Sequence, residues 1–168
     1  MEEKWDQTIK EFRRFLKLEK GLAGNSVQAY IDDIHKLTQY LSVIGQEIAP
    51  DQVTGQVLHN FLAWITELGL SARTQSRIIS GIKSFFKFLL LEERISQDPT
   101  LMMESPRIGR KLPEVLSVEE IDLLFSKIDL SKPEGQRNMA MLEVLYSCGL
   151  RVSELISLKI SDLFPDQG

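Results

Sequence analysis

Between Leu70 and Leu91 the chain reads LSARTQSRIISGIKSFFKFLLL, a run without aspartate, glutamate or proline. At about 100° per residue, Arg73, Arg77, Ser80, Ser84 and Lys87 fall on one stripe of a helix, and Ile78, Ile79, Ile82, Phe85, Phe86 and Leu89 on the opposite one. The pattern predicts an amphipathic helix whose apolar stripe is held in a core. Ser71 is its expected N-cap. That puts Arg73 and Thr74 in the first turn, where free N–H groups also face an anion. The polar stripe, with Lys83 beside it, carries long cations separated by small hydroxyls, so the backbone of a polyanion can come close; phosphates accept from Arg, Lys and Ser. An ordinary helix with a solvated basic face fits the same residues. Spacing alone leaves both readings open.

The net charge of −4 at pH 7 argues against polyanion binding by an overall field. Any nucleic-acid surface has to be local: this helix, and a short basic segment with Arg107, Arg110 and Lys111. Cys148 is the only cysteine, which excludes an internal disulfide and fits a reducing compartment. The acidic start MEEKWDQ does not read as a signal peptide, and the longest apolar runs fall far short of a membrane span. The expectation is a cytoplasmic protein.

The rest of the chain is also helical in pattern. Trp5, Ile9, Phe12 and Leu16 mark a first helix, broken at Gly21 and Gly24. Asn25 and Gln28 suggest a capping box for a second, with Val27, Tyr30, Ile34, Leu37 and Leu41 inward. A third spans roughly Thr54 to Leu68, stopped by Gly69. The basic helix follows, then a turn at Asp98-Pro99 and a possible short helix over Thr100 to Met103. Short connections make this a compact helical bundle. Residues 104–113, ESPRIGRKLP, lack a regular period and read as a linker, either a plain connector or a basic strap on a nucleic-acid backbone. Ser117 and Glu120 form a second capping-box pattern before Ile121, Leu124 and Ile128. A polar loop leads to a helix from about Arg137 to Ser147, Gly149 ends it, and Ser153 to Ser157 suit a short helix. Leu158 to Phe164 trend toward extended structure.

Catalytic chemistry is sparse. His35 and His59 have no partner at metal-ligand spacing, so no metal is expected. The acidic pairs Asp32–Asp33 and Glu119–Glu120 read as solvated faces or helix starts. One segment stands apart. In GLRVSEL, Arg151 sits at a helix entrance with Glu154 three residues on, within reach on the same face. Such a guanidinium can be oriented by the carboxylate and aimed at a phosphate; on spacing alone a structural ion pair at a helix start is the favoured reading.

YSCGLRVSELISLKISDL closely resembles the first catalytic-arginine motif of the tyrosine recombinases, the integrase family. KGLAGNSVQAYIDDI, LSARTQSRIISGIKSFFKFL and SPRIGRKLPEVLSVEEIDLL resemble, in the same order, three further segments of its Xer branch. The resemblance covers essentially all 168 residues. It implies an all-α fold here: a SAM-like core-binding DNA-binding domain over residues 1–103, a basic interdomain linker over 104–113, and the helical start of a catalytic domain over 114–168. It implies that Arg151 holds the scissile phosphate and Glu154 supports it, while Arg73, Thr74, Arg77, Ser80, Lys83 and Lys87 face double-stranded DNA, joined by Ser26, Gln28, Arg107, Arg110 and Lys111. The implied chemistry is transesterification by a tyrosine through a 3′-phosphotyrosyl link, without metal or nucleotide cofactor, in a tetramer of related subunits. Chromosome-dimer resolution is the implied role; a phage or transposon integrase is the alternative. The family's later lysine, HxxR motif and nucleophilic tyrosine have no counterpart here. Tyr30, Tyr40 and Tyr146 fall in predicted helices, and neither histidine begins HxxR. The chain is thus expected to be the first half or so of a recombinase and inactive by itself. A non-enzymatic DNA-binding module and a helical protein–protein scaffold are the rival readings.

Overall fold

The computed structural model describes residues 2–109 and 114–163. All regular elements among them are helical: α1 (Glu2–Leu18), α2 (Gly24–Val43), a 3-10 turn (Pro50–Gln52), α3 (Gly55–Glu67), α4 (Ala72–Leu91), α5 (Val118–Ser126), α6 (Pro133–Cys148), α7 (Val152–Ser157) and a 3-10 turn (Ile160–Asp162). The chain divides into two compact units, Met1–Arg110 and Lys111–Gly168.

The first unit is a four-helix bundle built on aromatic packing. Phe12, Phe61, Phe85 and Phe86 are all 0% exposed. Phe85 is central: it stacks on Trp5 at 5.8 Å and meets Phe12 edge-on at 5.3 Å and Phe86 at 5.4 Å, geometries that suit the ring quadrupole. Trp5 also donates through Nε1 to the carbonyl of Ile48 at 2.9 Å, tying α1 to the connection after α2. The apolar positions expected on α1 through α4 are those that pack, and Ile31 joins them at 0% exposure.

α4 begins as expected, with Ser71 accepting from the Thr74 amide. It packs most closely against α2, and Gly81 permits the approach. A Cβ placed on Gly81 would lie 2.7 Å from the Cβ of Asp33, closer than two carbons can pack. No side chain other than hydrogen fits there.

Several local expectations fail for identifiable reasons. The Asn25–Gln28 capping box is absent: Ala23 is the N-cap of α2 and no side chain caps it. Gly24 therefore starts that helix and does not break the chain. Gln28 is occupied elsewhere, accepting from Arg13 at 3.2 Å and donating to Asp32 at 2.8 Å. Thr100 to Met103 form a turn and no helix, because the Asp98 carboxylate takes both the amide and the hydroxyl of Thr100, an Asx turn that competes with helix formation. Asp33 is no solvated acid; it is 2% exposed.

The second unit keeps its predicted capping box, in which the Ser117 amide donates to Glu120 at 2.8 Å and the Glu120 amide to Ser117. α6 starts earlier than its apolar pattern suggests, at Pro133, since proline suits a first helical position where its missing N–H is not needed. It ends at Gly149 with φ 62°, a left-handed conformation that glycine adopts freely. Leu158 to Leu163 are not an extended strand: Asp162 accepts from the Lys159 amide at 3.0 Å and closes a 3-10 turn. Phe164 lies outside the described residues. None of the helices α5 to α7 buries a side chain fully.

Candidate nucleic-acid interface

The exposed side of α4 carries the charge. Arg73, Lys83 and Lys87 are exposed and find no acceptor among the described residues, so all three cations are available. Ser80 lies with them and donates back to the Ser76 carbonyl at 2.9 Å. Thr74 is half-buried, and its hydroxyl is shared with that of Ser71 at 2.9 Å; it serves the helix cap first.

Arg77 differs from its neighbours. On the wheel it stands about 40° from Arg73, toward buried Gly81 and Phe88, and so lies at the margin of the free face. Its Nη1 is 2.5 Å from Oδ1 of Asp33 on α2, with its side chain 50% exposed and that of Asp33 3%. The same Nη1 donates to the Ala29 carbonyl at 3.4 Å. Asp33 Oδ1 receives charge from Arg77 but no aligned hydrogen bond. Burial pushes the Asp33 carboxyl up to about 6; Arg77 pulls it back and Asp32 adds to the rise. Because the folded value exceeds the ordinary 3.8, the stability this group contributes is fullest below about pH 4 and is lost as pH rises through about 6.

Ser26 and Gln28 lie in the early turns of α2 and are exposed, with Gln28 engaged by Arg13 of α1. Arg107 is exposed on irregular backbone. Arg110 and Lys111 lie outside the described residues. In the second unit, Arg151 is the N-cap of α7. Its amide donates to one Glu154 oxygen at 2.7 Å and its Nη1 to the other at 3.0 Å. The backbone and then the guanidinium hydrogen bonds hold the Glu154 carboxyl below its usual range. The Arg151 side chain is 81% exposed, so its remaining donors are open to an anion. His35 and His59 sit exposed on α2 and α3, and no cluster of metal-ligating side chains occurs among the described residues. No helix there is long and apolar enough to cross a membrane.

Sequence reasoning missed Asp33. A signal existed: it sits three residues after Tyr30 and four before Leu37, on the apolar stripe of α2, where an acid requires a partner.

Residues 9–93 match the family model for the phage integrase N-terminal SAM-like domain, and residues 114–168 that for the phage integrase family. A "Tyrosine recombinase XerD" of Listeria monocytogenes is 37% identical over 160 residues, 95% of this chain and 54% of that protein. A protein of the same name from Oceanobacillus iheyensis is 41% identical over 158 residues, 94% and 53% of the respective chains. The chain thus spans about half the length of the curated relatives it matches. An integrase from mycobacterium phage Brujita shares the fold, with a TM-score of 0.55 at 17% identity over 87% of this chain and 46% of that one. With one family model covering the helical bundle and the other beginning just beyond it, the chain belongs to the phage integrase family of tyrosine recombinases.

Proposed function

We propose that this chain is the DNA-holding part of a site-specific tyrosine recombinase that resolves chromosome dimers. The observation that carries the reading is the acid-free face of α4, where Arg73, Lys83 and Lys87 stand exposed, with no ion-pair partner among the described residues, on a helix anchored by eight buried residues. A rigid helix with free cations suits a phosphate backbone, which dominates protein–DNA affinity. In this reading residues 1–103 are the core-binding domain, 104–113 a basic connector and 114–168 the start of the catalytic domain. Ser26, Gln28, Arg107, Arg110 and Lys111 add further contacts to the DNA. Arg151 steadies charge on the non-bridging oxygens of the scissile phosphate, and Glu154 fixes its guanidinium. In the whole enzyme, four subunits gather two duplexes; a tyrosine attacks the phosphate, a 3′-phosphotyrosyl link forms and a 5′-hydroxyl leaves. That hydroxyl or its counterpart on the other duplex later reverses the step.

The 168-residue chain binds duplex and does not cut it. Tyr30 and Tyr40 lie on α2 and Tyr146 on α6, none in the context of the family's nucleophile. Mixed with a nicked duplex that traps covalent intermediates, the chain is expected to retard the DNA at low salt and leave no protein–DNA adduct after denaturation. A covalent adduct would refute the claim of inactivity, and failure to retard any duplex would refute the claim of binding.

A further inference from the structure

Asp33 is the one charged side chain fully buried among the described residues. Burying a carboxylate is costly unless it is paired and hydrogen-bonded, and here the pairing is incomplete: Oδ1 has the Arg77 charge at 2.5 Å but no aligned hydrogen bond. The fold nevertheless makes room for it. Gly81 of α4 lies directly over Asp33, where any Cβ would collide with the carboxylate. On the other side of the pair, Arg77 uses only Nη1, toward Asp33 and the Ala29 carbonyl. Its Nε and Nη2 meet no acceptor among the described residues. One edge of a planar fork is held, the other is open, and the side chain stands half-exposed at the border of the cationic face.

We propose that Asp33 is a positioning residue for DNA: buried beneath α4, it fixes the Arg77 guanidinium so that its open edge grips a backbone phosphate. The inference rests on the DNA-binding reading above. An unrestrained arginine loses much rotamer freedom when it binds, and a preorganised one loses less. Among the described residues, the charged groups acting on Asp33 are Arg77 from α4 and Asp32 from its own helix, with none from α1 or α3. With the Asp33 carboxyl pushed up to about 6, the hold on Arg77 is present at pH 8 and released at pH 5. General electrostatics run the other way, since acidification makes the protein more positive and tightens DNA binding.

The test uses the full chain and a labelled duplex of random sequence, with wild type, Asp33→Asn, Arg77→Ala and the double variant compared at pH 8 and pH 5. Asp33→Asn is expected to weaken binding about tenfold at pH 8 and not at pH 5, with no loss of melting temperature at pH 8. In the Arg77→Ala background the same change is expected to do nothing. The ratio of wild-type to Arg77→Ala affinity is expected to shrink between pH 8 and pH 5, which checks the idea even if Asp33→Asn folds poorly. Equal or tighter binding by Asp33→Asn at pH 8, or an equal loss in both backgrounds, overturns the proposal and leaves the DNA-binding reading standing. A wild-type chain that binds no duplex overturns both.

Discussion

Reversing Arg73, Lys83 and Lys87 to glutamate together is expected to weaken duplex binding by at least about 100-fold at moderate salt. Each of these side chains is exposed, and none is committed to an ion pair among the described residues. Each can therefore displace a counterion from a phosphate, and reversal both removes that gain and adds repulsion. The fold is not expected to suffer. Exposed substitutions away from caps and buried networks change stability by roughly half a kcal/mol or less, and a glutamate at position 73 meets the favourable end of the helix dipole. Fluorescence anisotropy gives the affinity, and a thermal melt of the same sample shows that the helix is still in place. Unchanged retention of DNA by a well-folded triple variant would favour a scaffold whose cations are merely solvated.

The second large effect concerns the seat of that helix. Phe85 is 0% exposed and touches the rings of Trp5, Phe12 and Phe86. Truncating it to alanine is expected to cost about 3–5 kcal/mol, the transfer free energy of the ring plus the cavity left behind. Losing Phe85 uncouples α1 from α4, so weaker DNA binding should follow the loss of stability. Urea unfolding followed by tryptophan emission isolates the effect, because both tryptophans, Trp5 and Trp64, belong to the first unit. A midpoint shift worth less than about 1 kcal/mol would mean that the aromatic cluster relaxes around the gap and is not the anchor described here.

α1 through α4 are legible because their apolar residues recur with helical period and their stops are glycines or short polar connections. Ser71 and Ser117 cap as their spacing predicts. What escapes is whatever depends on contacts between helices. On the wheel Gly81 is a neutral gap, yet a Cβ there would collide with Asp33 of α2. Once it is buried, the polar stripe turns, leaving Lys83 and Lys87 free and drawing Arg77 toward Asp33. Asp33 itself is hidden by composition, since an acid beside another acid looks solvated until a partner is found 44 positions away. The start of α2 misleads for a local reason: Asn25 can cap a helix, but the chain already turns helical after Ala23. In the second unit the Arg151–Glu154 contact follows from spacing alone.

The central claim is that the free face of α4 lies against phosphates, and a salt titration tests it most directly. For a B-form duplex the logarithm of the affinity falls with the logarithm of salt by about 0.9 per phosphate engaged. With Arg73, Lys83 and Lys87 as three of the phosphate contacts, the slope of the triple glutamate variant is predicted to be shallower than that of the wild-type chain by about 2.7. Binding that ignores salt, or a slope that survives the triple reversal unchanged, would contradict the account.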